Sequence, residues 1–312
     1  MKEINKKEQM PCISVVIPVF NSENTLEELY NRLTKSLIVH SSDYEIILVD
    51  DGSPDSSWKK IKENCNSDDR VNGVRLSRNY GQHNALLCGI RQAKYDSIVT
   101  LDDDLQNPPE EIPKLLEKLD QGYDVVYGYP KIEKHGIFRN IASMFTKMAL
   151  KTTMGISIAR HVSPFRVFRT ELRDSFSDYR DSFISIDVLL SWGTNSFSAI
   201  PVNHEQRAEG NSNYTVRKLI NHALNMITGF SVLPLQIASI MGFVLAIFGL
   251  LVLIYVVFRF LLQGSPVPGF PFIASIIAIF SGAQLLAIGI IGEYLARIHF
   301  RTMDKPQYFI SR

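Results

Sequence analysis

The chain has 312 residues, with 33 Lys and Arg against 32 Asp and Glu and a formal net charge of +1. That is enough for one large domain with an appendage, and it leaves no basic field to hold nucleic acid. Cys12, Cys65 and Cys88 stand apart with no CxxC pair and no Cys/His cluster, which reads as lone thiols in a reducing compartment.

Residues 1–10 form a polar, charged N-terminal tail unlike a secretory signal, so the domain that follows is expected to stay where it is made. From there strands and helices alternate. Apolar, β-branched runs predict strands at 13–19, 44–49, 71–76, 98–101 and 125–127. Helical patterns fall between them at 23–37, 56–64, 82–93 and 109–121. Such alternation with short joints means an α/β fold with a mainly parallel sheet flanked by helices, in a domain spanning 11–213. Ligands of these sheets collect at the carboxyl ends of the strands.

Some segments depart from this alternation, one inside the domain and the rest beyond it. Amphipathic stripes at 137–152 and 214–231, each flanked by cations, suit helices lying in a lipid headgroup layer, although packing on the domain core would produce the same pattern. No Asp, Glu, Lys or Arg occurs at 219–258 or at 260–292. A helix needs about 20 mostly apolar residues to cross the hydrocarbon core, and 235–262 and 270–291 both qualify. The uncharged, Gly- and Pro-containing turn between them makes 232–296 a transmembrane hairpin. Arg217 and Lys218 precede it, and Arg297, Arg301, Lys305 and Arg312 follow it. This puts both ends, including a tail at 297–312, on the cytoplasmic side. Gly242, Gly249, Gly282 and Gly289 would permit close helix contact, so a homo-oligomer is open.

The sharpest motif is Leu101-Asp102-Asp103-Asp104-Leu105-Gln106-Asn107-Pro108-Pro109, directly after the fourth strand. In extended backbone, Asp102, Asp104 and Gln106 converge on one side and Asp103 faces the other. Hard oxygen ligands at that spacing suit Mg²⁺ or Mn²⁺, with phosphate and water completing the shell. The structural alternative is an acidic loop capping the next helix. A second acidic pair, Asp50-Asp51 before Gly52, ends the second strand, where carboxylates can accept from the N–H edge of a base. Ser77-Arg78-Asn79-Tyr80-Gly81-Gln82-His83 follows the third strand and offers a cation, amides and a helix N-terminus to an anionic or polar ligand. His83 reads as a cap or donor more readily than as a base. There is no GxxxxGK[ST] loop and no GxGxxG after the first strand, which speaks against kinases, ATPases and NAD enzymes.

Taken in order, Val16-Ile17-Pro18-Val19-Phe20-Asn21, Val49 to Ser53, Arg78 to Gln82, Asp102 to Pro109 and two C-terminal spans resemble the polyprenyl-phosphate branch of the family-2 glycosyltransferases. That branch includes dolichyl-phosphate mannose synthase and the undecaprenyl-phosphate glucosyl- and aminoarabinose transferases. The resemblance implies the nucleotide-sugar fold of that family and a UDP- or GDP-linked donor. It also implies metal-dependent, inverting transfer to polyprenyl phosphate at a membrane. Matched positions give a nucleotide-binding set of Pro18, Phe20, Asn21, Asp50, Asp51, Arg78, Gln82, Asp102 and Asp103. They give a metal set of Asp102, Asp104 and Gln106, with Asp104, Arg166 and Arg207 as catalytic residues. Lys131, Lys134, Arg139, Ser212 and Tyr214 would meet the acceptor phosphate. A buried ion pair is the alternative for Arg166, and a surface pair with Glu205 or Glu209 for Arg207.

The sequence departs from the family at Ser22, where a glutamate is usual and Glu23 comes one residue later. It departs again at Asp103 in place of alanine, at Asn213 in place of lysine, and at Tyr129-Pro130 where an arginine often stands. Two rival functions share parts of this pattern: a processive polysaccharide synthase, which resembles the chain less for want of more spans and a Gln-x-x-Arg-Trp motif, and a non-catalytic membrane scaffold. The intact acidic loop argues against the scaffold, because an idle site has no reason to keep a costly anionic cluster.

Overall fold

The structure is a computed structural model describing residues 10–131, 161–181, 184–205, 233–263, 269–303 and 305–311. The expected helices at 137–152 and 214–231, the centre of the turn at 264–268, and Lys134, Arg139, Arg207, Ser212 and Tyr214 lie outside the described residues. The chain divides into two compact units, one formed by Met1–Ile220 with Asp304–Arg312 and the other by Asn221–Met303.

In the first unit the elements follow the expected alternation. They are β1 (Cys12–Val19), α1 (Leu26–His40), β2 (Asp43–Asp50), α2 (Ser57–Ser67), β3 (Val71–Arg75), α3 (Gln82–Gln92), β4 (Ser97–Thr100), a 3₁₀ turn at Pro109–Glu111, α4 (Ile112–Asp120) and β5 (Val125–Pro130). Then come β6 (Arg166–Arg169), a second 3₁₀ turn at Thr170–Phe176, α5 (Ile186–Gly193) and β7 (Phe197–Val202). The seven strands form one sheet in the order β3-β2-β1-β4-β6-β5-β7. β1 pairs in parallel with both β2 and β4, and β3 with β2. β6 runs antiparallel between β4 and β5, so the sheet is mixed.

The central strands carry near-continuous apolar runs because both of their faces are covered. Ile13, Val15, Ile17, Ile46 and Leu48 on one face are buried with Leu26, Leu29, Leu33 and Leu37 of α1 in the main core. On the opposite side α3 lies close over β1. A Cβ on Gly89 would come within 2.4 Å of Val16 Cγ1, so this contact requires a glycine. Cys88 on the same helix is buried, and burial pushes its thiol up to about 11, which suits an inert core residue.

Past the spans, the tail expected as a separate segment belongs to the first unit. Leu76 and Ile310 form an antiparallel bridge. Ser77 N donates to Phe309 O at 2.9 Å, and Ser311 N to Arg75 O at 2.7 Å. The tail thus pairs with the chain at 75–77, at the carboxyl end of the edge that β3 leaves open.

The second unit contains α6 (Leu233–Gln263) and α7 (Phe270–Thr302). α6 has 31 residues, about 46 Å at 1.5 Å per residue, against a hydrocarbon thickness of ~30 Å. Stretches Pro234–Arg259 and Ile279–His299 are long and apolar enough to cross a membrane. Large side chains such as Ile240, Phe243 and Leu285 are exposed, as a lipid-facing helix requires. α7 continues beyond the expected limit at residue 291 and carries His299 and Arg301 in its last turn.

Candidate active site

The parallel arrangement of β1, β2, β3 and β4 brings four loops to one end of the sheet. Asp51 follows β2 and is buried. Its carboxylate accepts from Tyr80 N at 2.7 Å and Gly81 N at 2.8 Å. Burial nevertheless pushes this carboxyl above its ordinary value, and neighbouring Asp50 adds to the rise. Asp50 Oδ1 accepts from Ser53 N at 3.1 Å, while its Oδ2 lies 3.2 Å from Arg75 Nε without hydrogen-bond geometry.

The turn after Asp51 depends on Gly52. Its φ is +70°, and a Cβ there would lie 2.6 Å from the backbone carbon of Arg78. Only a glycine lets the β2 loop approach the β3 loop closely enough for Asp51 to reach Tyr80 and Gly81. Gly52→Ala is therefore expected to destabilise the protein by about 1–3 kcal/mol and to weaken nucleoside-diphosphate binding. Thermal melting and calorimetric titration with UDP or GDP measure the two effects.

Phe20, after β1, is 44% exposed and stands at the mouth of this region. Pro18 is buried within β1, opposite Val49. Asn21 takes a φ of +57°, and its N–H donates to Ser53 Oγ at 3.2 Å. The shifted residues Ser22 and Glu23 have defined places. Ser22 Oγ donates to Asp103, Ser22 N to Ser57 Oγ at 2.9 Å, and Glu23 accepts from Ser56 N at 2.9 Å. Glu23 thus fastens the β1 loop to the start of α2.

The acidic loop is a turn, whereas extended backbone was expected. Leu105 takes a φ of +62° and buries its side chain, which reverses the chain between Asp104 and Gln106. Asp104 Oδ1 accepts from Gln106 N at 3.1 Å, so the turn, in place of strand alternation, sets these two residues side by side. Asp102 Oδ1 accepts from Gln82 Nε2 at 2.5 Å, linking the loop to the first turn of α3. Asp103 points to the β1 loop. It accepts from Phe20 N at 3.0 Å and from Ser22 Oγ, and its carbonyl accepts from Thr25 Oγ1 at 2.8 Å. Enclosure raises the Asp103 carboxyl above its usual value, against the bonds from Ser22 and Phe20.

No group of three or more His, Cys, Asp or Glu residues suited to a metal occurs among the described residues. Asp102, Asp104 and Gln106 are an all-oxygen donor set at one turn. A hard divalent cation that keeps phosphate and water in its shell needs no more than one or two carboxylates from the protein, so these residues fit such an ion.

Arg166, at the start of β6, is only 1% exposed. Its Nη1 binds Asp187 of α5, its Nε donates to Thr100 Oγ1 at 3.0 Å, and its guanidinium lies 6.0 Å from the Tyr127 ring centre. Tyr127 Oη donates to the same Asp187 oxygen at 3.0 Å. This is the buried ion pair named as the alternative, and it lies against Thr100 at the end of β4. Arg78 is exposed beside Tyr80, with its guanidinium 4.8 Å from that ring. His83 Nδ1 accepts from Ile186 N at 3.4 Å, which makes it an acceptor at the start of α5.

Lys131 Nζ donates to Asn203 Oδ1 at 3.4 Å. Nearby, Arg32 of α1 bridges Glu110 and Glu205, each at 2.8 Å, while Glu205 N donates to Gln106 O at 2.9 Å. Sequence reasoning missed Arg32, because nothing in an amphipathic helix marks an arginine that joins two distant loops. The Arg32 guanidinium holds both glutamates below their ordinary value of 4.5. A depressed folded-state pKa contributes stability above the unfolded value and loses it as pH falls through the folded one. The melting difference between wild type and Arg32→Gln is therefore expected to be full at pH 6–7 and to shrink below about pH 4.5. Because all three groups are partly exposed, that difference is small, and added salt reduces it.

The family model for Glycosyl transferase family 2 matches residues 14–177. An undecaprenyl-phosphate 4-deoxy-4-formamido-L-arabinose transferase of Proteus mirabilis is 36% identical over 308 residues, 98% of this chain and 94% of that protein. The transferase of that name from Klebsiella pneumoniae (strain 342) is 36% identical over 305 residues, 96% of this chain and 93% of its own. Among solved structures, glucosyl-3-phosphoglycerate synthase from Mycobacterium tuberculosis, crystallised with Mn²⁺, UDP-glucose and phosphoglyceric acid, shares the fold. Its TM-score is 0.53 at 18% identity, over 71% of this chain and 79% of that one. With the family model matching more than half of it and relatives spanning almost its whole length, the chain belongs to glycosyltransferase family 2.

Proposed function

We propose that this glycosyltransferase moves a sugar from a nucleotide-linked donor to the phosphate of undecaprenyl phosphate, with inversion at the anomeric carbon. The observation that carries the reading is the extent of similarity to undecaprenyl-phosphate transferases, which takes in both apolar helices as well as the catalytic domain. A polyprenyl tail stays in the bilayer, so its phosphate must be met at the headgroup plane.

Asp51, with Phe20 and Pro18 beside it and Asp50 behind, receives the base. Asp102, Asp104 and Gln106 would hold Mg²⁺ or Mn²⁺, and such an ion would act as a Lewis acid toward the departing nucleoside diphosphate. Asp103 links the two ends of the donor site, because its carboxylate fixes the Phe20 loop while its neighbours carry the acidic set. Gln82 steadies Asp102. Lys131, together with Lys134, Arg139, Arg207, Ser212 and Tyr214, receives the acceptor phosphate. Arg166 acts as a positioning residue through Thr100 and Asp187.

A phosphate monoester has its second pKa near 6 and is mostly a dianion at neutral pH. It can attack the anomeric carbon while the carbon–oxygen bond to the diphosphate breaks, with no proton to remove. Direct displacement gives inversion. The catalytic domain faces the cytoplasm in this reading. Cations flanking the spans support that orientation, and the tail's membership of the first unit suits a hairpin with both ends on one side.

The test is a panel of UDP- and GDP-linked sugars, with 4-deoxy-4-formamido-L-arabinose among them, incubated with full-length protein, Mg²⁺ and undecaprenyl phosphate. One lipid-linked monosaccharide is expected. Polymer would instead indicate a processive synthase, and no product from any donor a non-catalytic scaffold.

A further inference from the structure

The returning tail builds a cleft of about 460 Å³ in the first unit, lined by Arg91, Ser177, Arg180, Lys305, Gln307 and Tyr308 together with a proline. Three of its lining residues are cations and none is a carboxylate. Arg91, on α3, is half-buried, and all its partners are neutral. Nη1 donates to Gln307 Oε1 at 2.8 Å and Tyr308 Oη at 3.4 Å. Nη2 donates to the carbonyls of Tyr179 at 3.0 Å and Ser177 at 3.4 Å. These bonds fix the guanidinium without cancelling its charge.

Arg180 and Lys305 are exposed and make no hydrogen bond or ion pair among the described residues. Asp178 and Asp181 flank Arg180 in sequence but do not line the cleft. Gln307 is itself buried, and its amide donates to the carbonyls of Tyr179 at 2.9 Å and Asp181 at 3.1 Å. The wall carrying Arg180 and the tail carrying Lys305 are therefore held together. A cationic cleft with no carboxylate among its described lining residues is suited to a phosphate group.

Its place in the chain indicates the source of that phosphate. Lys305 comes three residues after α7 ends, and α7 contains a stretch apolar enough to span a membrane. Basic residues next to a span are drawn to anionic headgroups. We propose that this cleft binds the phosphodiester headgroup of an anionic phospholipid. The cleft shares no residue with the donor set, although Lys305 lies within electrostatic reach of Tyr80, and its occupant would hold the tail at the bilayer surface. The proposal goes beyond the transferase reading, and its test uses neither donor nor acceptor.

Full-length protein in neutral detergent is titrated calorimetrically with short-chain phosphatidylglycerol, short-chain phosphatidylcholine and inorganic phosphate. Saturable binding of phosphatidylglycerol, and none of phosphatidylcholine, is expected. The double variant Arg180→Ala/Lys305→Ala should weaken it roughly 10- to 30-fold with an unchanged melting temperature. Lys59→Ala/Lys62→Ala, which removes the same charge from α2, should leave binding as in wild type. Equal affinity in the cleft variant, or an equal loss in both double variants, overturns the site. Binding of inorganic phosphate without phosphatidylglycerol overturns the lipid assignment.

Discussion

Asp104→Ala is expected to lower kcat by about 10²–10³-fold, the loss typical when one group stabilising charge at a leaving oxygen is removed. The fold should survive, because Asp104 lies on a turn at the end of the sheet, where its carboxylate accepts from Gln106 N. Losing that acceptor loosens the turn without opening the core, where Leu105 remains packed. Asp103→Ala should behave differently. Its carboxylate serves Phe20 N and Ser22 Oγ, so its loss should raise the donor KM more than it lowers kcat. Initial rates against donor concentration, with melting curves for each variant, separate the two. Near-normal turnover by Asp104→Ala would remove that residue from the chemistry.

The second large effect is on stability. Arg166→Met leaves Asp187 buried without its cation, and breaking a buried pair in this way costs about 3–5 kcal/mol. The double change Arg166→Met/Asp187→Asn removes the stranded charge and keeps an acceptor for the Tyr127 hydroxyl. It should recover at least about half of that loss. Thermal melting of the full-length protein in detergent gives both values. If the double variant melts like wild type yet loses more than about 100-fold in kcat/KM, Arg166 contacts a phosphate and its positioning role is wrong.

Much of the front half was legible because its physics is local. The β-branched runs at β1, β2 and β4 and the helical stripes between them identify themselves by period and length. The acidic motifs stood out at strand ends, where a parallel sheet gathers its ligands. What was hidden depends on residues distant in sequence. β6 is a four-residue strand with an arginine at each end, too short and polar to announce that it runs antiparallel into a parallel sheet. The acidic loop was read by strand alternation, but a left-handed Leu105 makes it a turn. Such a conformation is rare for leucine and is set by burial of its side chain, not by any local preference. The pairing of Arg166 with Asp187 was equally hidden, since no pattern in the sequence joins two residues twenty-one positions apart. The same holds for the tail, whose short apolar run at Phe309-Ile310 gains meaning only beside the open edge of β3.

The account rests on one arrangement, in which the donor's base lies at Asp51 and its diphosphate at the Asp102–Gln106 turn. A structure of the full-length protein determined with a nucleoside diphosphate and Mn²⁺ measures this directly. The account predicts the base between Phe20 and Asp51, and the ion bridging the diphosphate to an Asp104 oxygen. A diphosphate bound elsewhere, with the acidic turn bare of metal, would contradict it.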